Sequence, residues 1–310
     1  MYDLIGDIHG FADTLELMLD TLGYKKINGT YTHDKRKIIF AGDFIDRGPN
    51  IRKTLQIVRP MIESGSALSV AGNHEFNAIA FYTKDRQGNF LRPHSEKNIN
   101  QFRKTMKEFK DYPEEWTDYI EWFKSLPLTI ETETLRVVHA CWEPKLVKIV
   151  NKKYPEGLNN KGLLIKAFDK STEEYNIIET LLKGKEVELP AGYSFKDKDN
   201  HRRTSVRYQW WSDLRNKTYK TVAVSEKYNI PDIPIAGNIF KDHKGYAPKE
   251  KPLFFGHYWC NGTPLIKSPN VCCLDYSLGK CQKLTAYRFD GEKTLNNKKF
   301  ISLNCIDHLE

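Results

Sequence analysis

A soluble α/β fold with two packed mixed β-sheets flanked by helices is what this 310-residue sequence predicts. Three observations predict it. The first half alternates short apolar strands with amphipathic helices. Each of those strands ends in Gly followed by polar residues. A later group of apolar runs has the length of strands, not of helices. Composition agrees: 40% hydrophobic and 28% charged residues exclude a disordered chain, and 19 Gly with 14 Pro exclude a collagen-like one.

The first strand is Asp3 to Gly6. Ala12 to Gly23 follows as a helix, with Leu15, Leu19 and Leu22 at helical spacing and Gly as its stop. Lys37 to Gly42 is a continuous apolar strand, Ile51 to Ser64 a helix facing inward through Leu55, Val58 and Ile62, and Ala67 to Gly72 a third strand. This βαβαβ rhythm predicts parallel strands with helical crossovers, and ligands at the carboxyl edge of such a sheet. Two helices come next. Asn98 to Phe109 presents Ile99, Phe102, Met106 and Phe109; Pro113 to Ser125 presents Trp116, Ile120 and Phe123. Strands are expected at Leu128 to Glu131 and Leu135 to His139, and then at Leu253 to Gly256, Val271 to Leu274 and Lys283 to Phe289, where alternation points to a second sheet.

Length would allow two domains of about 150 residues. A single domain over residues 1–308 is the simpler organisation, with a Lys-, Asp-, Glu- and Asn-rich insertion at approximately 144–205. That insertion reads as a helical and loop cap, with one clear helix around Ser171 to Leu182. Leu309-Glu310 resembles a cloning remnant. No apolar stretch approaches the roughly 18 residues of a membrane span. The start carries neither a basic nor an apolar leader, so a cytoplasmic location is expected. Six Cys are too sparse for a disulfide scaffold and are read as reduced thiols. A net charge of +8 favours anionic substrates; nucleic acid is compatible with it but not indicated, because most Lys lie in mixed-sign stretches.

Five segments carry the chemistry: Gly6-Asp7-Ile8-His9-Gly10, Gly42-Asp43-Phe44-Ile45-Asp46-Arg47-Gly48, Gly72-Asn73-His74-Glu75, Val138-His139-Ala140 and Gly256-His257-Tyr258. Each puts a metal-competent side chain just past an apolar strand. Singly, a His in such a place is an ordinary hydrogen bonder. Together they offer two Asp, one Asn and three His as ligands, with a His, an Asp and an Arg to spare. Carboxylate, amide oxygen and imidazole suit Mn, Fe, Zn, Ni or Co. Six ligands exceed the four of a structural zinc. They suit two divalent ions about 3.5–4 Å apart that share a carboxylate. Two ionised Asp would only half-neutralise such a pair, leaving positive charge for a hydroxide and a phosphate.

The ordered set resembles the calcineurin-like metallophosphoesterases, and Gly42-Asp43 through Asp46-Arg47-Gly48 resembles their phosphoprotein phosphatase branch, which holds Ser/Thr protein phosphatases and bacterial diadenosine tetraphosphatases. The likeness is specific over residues 1–75, thinner at His139 and His257, and absent from 144–205. It implies the calcineurin-like fold and two divalent transition metals, Mn first, with Fe, Zn or Ni as alternatives. Asp7, His9 and Asp43 would bind the first metal. Asp43 would bridge to a second, held by Asn73, His139 and His257. His74 would be the general acid, held by Asp46. Arg47 would clamp phosphate, with Asn73 beside it. Hydroxide would attack phosphorus in line, hydrolysing phosphate monoesters, with dinucleoside polyphosphates or nucleic-acid ends as alternative substrates. The partner is then a phosphorylated small molecule, nucleotide or phosphoprotein. The branch often has a second phosphate-binding Arg; Arg202, Arg203, Arg207 and Arg215 compete for it, and Arg207 is favoured by its place just before Trp210-Trp211.

Plainer readings stand beside these. A non-catalytic metal or nucleic-acid binding module is the alternative from another class, and it would have no use for His74, Asp46 and Arg47 as a set. His33, His94, His201, His243 and His308 lack context and are expected at the surface. Cys141 and Cys260, close to His139 and His257, could form a Cys2His2 zinc site, but buried small residues are preferred. Tyr208, Trp210 and Trp211 could stack on a base; aromatics closing the core are preferred.

Overall fold

The computed structural model describes residues 1–196, 202–224 and 228–308. His201 and the Leu309-Glu310 pair lie outside the described residues. Three strands, Tyr2–Ile5, Lys37–Phe40 and Ala67–Ser69, run parallel in chain order, with Tyr2 opposite Lys37 and Ile38 opposite Ala67. The helices Ala12–Leu22 and Ile51–Glu63 cross between them and bury Leu15, Leu19, Leu55 and Val58. Gly23 ends the first helix with a left-handed φ of 89°, open to it because it has no Cβ.

The far side of this sheet departs from expectation. Lys283–Phe289 pairs antiparallel with Tyr2–Ile5, Tyr2 opposite Phe289, so it completes the first sheet and not the second. Phe300–Asn304 lies beyond it as an edge strand. Alternation tells which face of a strand is buried; it says nothing about which sheet the strand joins. The second sheet has the order Val271–Cys273, Leu253–Phe255, Arg136–Val138, Thr129–Glu131. Its first three strands are parallel and the last antiparallel.

The two sheets pack face to face. Leu4, Ile39, Tyr287 and Phe289 of the first meet Val137, Phe254 and Cys272 of the second in one buried cluster. The opposite faces, with Ile5, Ile38, Phe40 and Phe255, join the helices in a larger apolar cluster. Both sheets therefore aim their carboxyl ends at the same edge of the sandwich.

The helices Glu96–Glu108 and Pro113–Lys124 bury Phe102, Trp116, Ile120 and Phe123 as expected. Met106 instead is 38% exposed, and Thr105 takes the inward position. The insertion holds three helices, Pro144–Lys153, Lys161–Lys166 and Glu173–Lys183, where the sequence marked one. Their Leu163, Ile177 and Leu181 belong to the same apolar cluster as Phe255. Glu186–Glu188 then pairs antiparallel with Ser205–Arg207.

Tyr208, Trp210 and Trp211 are buried, and the Trp210 indole N–H donates to the Ala140 carbonyl (3.1 Å) and the Tyr258 hydroxyl (3.0 Å). They close the core. One cysteine expectation is corrected: Cys281 and Cys305 form a disulfide. The pair flanks two antiparallel strands whose ends, Lys283 and Asn304, lie opposite each other, which brings the thiols together. Cys141, Cys260, Cys272 and Cys273 are free.

Candidate metal centre

Each of the five marked segments leaves the carboxyl end of a strand and turns over the shared edge. Asp7, His9, Asp43, Asn73, His139 and His257 are all buried there. His9, Asp43, Asp46, Arg47 and His257 have φ of 52°, 55°, 70°, 71° and 71°. A left-handed backbone is costly for residues with a Cβ, and such strain concentrates at functional sites. Two glycines leave room for carboxylates. A Cβ on Gly256 would sit 1.9 Å from Asp7 Oδ1, and one on Gly72 would sit 2.2 Å from Asp43 Oδ1.

Asp43 is the hub. Its Oδ2 lies 3.7 Å from His9 Nε2, 3.4 Å from His139 Nε2 and 3.9 Å from His74 Nε2. Its Oδ1 accepts the His74 backbone N–H (2.9 Å), at the amino end of the helix Asn73–Tyr82. Asp43 belongs to two groups of converging ligand atoms, one with His9 and His74, the other with His139 and His257. Asn73 Oδ1 is 3.1 Å from His139 Nε2. Asp7 accepts the His257 backbone N–H at 3.0 Å. His9, Asp43, Asn73, His139 and His257 are thereby brought together; Asp7 adjoins them through the His257 backbone but belongs to neither group of converging atoms. No cysteine joins either group of converging atoms among the described residues, and Cys260 instead faces Cys273 at 3.6 Å.

The imidazoles are oriented from behind. The Ile45 carbonyl is 3.0 Å from His9 Nδ1 and the Ala41 carbonyl 2.7 Å from His139 Nδ1. Each contact makes Nδ1 a donor to a backbone carbonyl and turns Nε2 toward Asp43. His257 Nε2 is buried and has no hydrogen-bond partner, an orphan that a cation would satisfy. His74 differs, because its Nδ1 is 2.5 Å from Asp46 Oδ2. Asp46 in turn accepts the Thr105 hydroxyl at 2.5 Å through Oδ1.

Sequence reasoning gave Glu75 no role, yet it organises the centre. It is fully buried and accepts three backbone N–H groups: Asp43 (2.9 Å), Phe44 (2.8 Å) and Gly72 (2.9 Å). It thus ties the Asp43 turn to the Asn73 turn. Its position three residues into a capped helix was the available signal. Thr105 and Asp275 were also missed. Asp275 is buried and accepts the Trp259 (2.7 Å) and Ser277 (2.9 Å) backbone N–H groups.

Without cations, the charges here compete. Burial, then the Asp275 and Asp43 carboxylates, holds the Asp7 pKa well above the usual range. Burial also opposes ionisation of Asp43, but His139 and His74 outweigh it and hold its pKa well down. Burial opposes protonation of His139, yet Asp43 lifts its pKa to about 10. His9 and His257 are pushed down, by burial first and then by His74 and Arg207 respectively. Protons thus stand in for positive charge among buried acids and bases, and two divalent ions would meet the same need. The donor set, the shared carboxylate and the orphaned imidazole all fit such a pair.

Arg47 lies over the Trp259 ring, 4.2 Å from its centre. It opens with Asn73, His257 and Arg207 onto a cleft of about 1020 Å³. Arg207 Nη2 pairs with Glu186 at 3.1 Å, while its Nε is buried without a hydrogen-bond partner. Of the competing arginines, Arg203 also reaches the cleft. Arg215 is bound to Asp213 and Arg202 to Ser194.

A family model described as calcineurin-like phosphoesterase matches residues 2–257. The chain belongs to the calcineurin-like phosphoesterase family. This phosphoesterase chain is 33% identical over 141 residues to the asymmetrical bis(5'-nucleosyl)-tetraphosphatase PrpE of Oceanobacillus iheyensis, covering 44% of this chain and 54% of that protein. To PrpE of Bacillus subtilis it is 40% identical over 74 residues, 24% of this chain and 30% of the relative. The match therefore spans about half the length, or less, of these curated relatives. A cold-active protein-tyrosine phosphatase from Shewanella sp. has the same fold, with a TM-score of 0.51 over 93% of this chain and 75% of that one, at 12% identity.

Proposed function

We propose that this calcineurin-like phosphoesterase hydrolyses phosphate monoesters with the help of two divalent transition metals, Mn first among them. Asp7, His9 and Asp43 would hold one ion; Asp43, Asn73, His139 and His257 would hold the other. The observation that carries this reading is the Asp43 carboxylate, which belongs to both groups of converging ligand atoms beside the His74–Asp46 pair. Bound there, the ions would lower the pKa of water and draw charge from the phosphoryl oxygens.

The chain's own groups supply the rest. Arg47 presents a planar fork to the phosphate, and its stacking on Trp259 fixes the plane of that fork. Arg207 lines the same cleft. His74, with Nδ1 held by Asp46 and Nε2 turned inward, donates a proton to the leaving oxygen. Thr105 fixes Asp46, and through it the plane of the imidazole. His74 itself contributes an atom to the first group of converging atoms. The acid assignment is favoured because Asp46 already engages its other nitrogen.

A second reading is hydrolysis of dinucleoside polyphosphates. The similarity to PrpE proteins of that printed activity favours it. The deciding experiment is a panel of phosphopeptide, p-nitrophenyl phosphate, diadenosine tetraphosphate and nucleic-acid ends, run on Mn-restored protein of measured metal content. Monoester turnover that disappears on chelation and returns with Mn is expected. Turnover without bound metal, or two bound metals with no phosphoesterase activity at all, would overturn the proposal. No helix among the described residues is long and apolar enough to cross a membrane.

A further inference from the structure

The cleft beside the metal centre carries more positive charge than one phosphate can use. Arg47, Arg92, Lys97, Lys104, Lys183, Arg203 and Arg207 line it, against a single carboxylate, Glu96. Two of these are paired, Lys183 with Glu179 and Arg207 with Glu186. Arg92, Lys97 and Lys104 make no ion pair among the described residues. The Arg92 guanidinium is half-buried and donates only to neutral amides, Gln101 (2.7 Å) and Asn98 (3.2 Å). Burial lowers its pKa, and the Asp46 carboxylate opposes that shift. Lys104 Nζ donates to the Arg47 carbonyl at 2.8 Å, so the cationic lining adjoins the residue assigned as the phosphate clamp. A half-buried cation with no ion-pair partner, as at Arg92, is costly unless a ligand supplies one.

We propose that Arg92, Lys97 and Lys104 form a second anion subsite, which holds a further phosphate or other anionic group of the substrate, so that a ligand with consecutive phosphates binds more tightly than one with a single phosphate. This rests on the phosphoesterase reading above. A single-stranded nucleic acid is the weaker fit, because such strands need a series of aromatic platforms. The cleft offers one aromatic, Phe168, whose ring already stacks on Phe76 at 5.2 Å.

The test compares inorganic tripolyphosphate with orthophosphate by calorimetry on the Mn-loaded protein, with free Mn2+ held in excess of either probe. Tripolyphosphate is expected to bind at least about tenfold more tightly, the equivalent of one added charge-assisted contact. In an Arg92→Gln/Lys97→Gln protein that ratio should fall by about tenfold. Lys97→Gln alone changes an exposed side chain and cannot disturb folding; it should lower the ratio by about threefold. Lys298→Gln, the same charge change outside the cleft, should leave the ratio as it was. A wild-type ratio near one, or a ratio that survives the double substitution, would overturn the subsite. Failure of the phosphoesterase reading shows separately, as absent turnover of every ester, and the binding ratio still decides the subsite.

Discussion

Adding one methyl group at Gly256 should empty the metal centre while leaving the fold standing. In Gly256→Ala the new Cβ would lie 1.9 Å from Asp7 Oδ1 and 3.0 Å from Asp7 Cγ. A carbon and an oxygen need about 3.3 Å, so one partner must retreat by about 1.4 Å. The backbone at 256 is pinned on both sides, its N–H to the His139 carbonyl and its carbonyl to the Tyr258 N–H, each at 2.9 Å. Asp7 is the member that yields. Metal–ligand distances tolerate about 0.2 Å, so a displacement of this size removes Asp7 from the ligand set. Overpacking of this kind costs about 1–3 kcal/mol of stability, whereas a misplacement of about 1 Å can cost a hundredfold in rate. Metal content by mass spectrometry, kcat/KM on p-nitrophenyl phosphate and the urea midpoint should be measured on one preparation. The expected result is metal loss and at least about a hundredfold fall in kcat/KM, with a still cooperative unfolding transition. Full metal occupancy and full activity would refute the placement of Asp7 at the centre.

Three further expectations follow from other parts of the structure. His74→Ala should keep both metals and lose about 10²–10⁴ in kcat on alkyl phosphates, with a smaller loss on p-nitrophenyl phosphate; full activity on an alkyl phosphate would remove His74 as the acid. Metal uptake should tighten as pH rises, because Asp43 outweighs burial and keeps His139 protonated up to about pH 10. That protonated pair stabilises the metal-free fold fully below pH 6.5, and its contribution is lost as pH climbs toward 10. Binding at pH 8 should therefore release a proton, seen by calorimetry in two buffers of different ionisation enthalpy; zero release would contradict the His139–Asp43 pairing. Asp3→Asn should cost about 3–5 kcal/mol by denaturation midpoint without loss of metal. Asp3 is fully buried, with Arg36 Nε at 2.9 Å, Arg288 Nε at 3.2 Å and the Tyr24 hydroxyl at 3.1 Å; an unchanged midpoint would show the cluster to be dispensable.

The parallel strands and the ligand set were legible because both are local patterns. A continuous run such as Lys37 to Phe40 declares a strand buried on both faces, and Gly42-Asp43 directly after it declares the turn over the sheet edge. Lys283–Phe289 was legible as a strand, but its partner Tyr2–Ile5 lies at the other end of the chain, and no local pattern encodes that pairing. Cys281 and Cys305 meet only because of that sheet. Asn28-Gly29 was a readable hairpin turn that went unread: the residues take φ of 51° and 85° between the strands Lys25–Ile27 and Thr30–Thr32. Thr105 and Asp275 were hidden for a different reason. Each acts on backbone N–H groups or on another side chain across the fold, and such partners are visible only in three dimensions.

The left-handed turns at His9, Asp43, Asp46, Arg47 and His257 make the metal centre behave like a loaded spring. Strained residues cost on the order of 1–3 kcal/mol each, against a total stability of about 5–15 kcal/mol for a typical domain. The surrounding sandwich must therefore hold these turns shut, and any slackening of the strand ends lets them relax downhill. Damage far from the cleft should then announce itself first as leakage of bound ions, well before the chain unfolds.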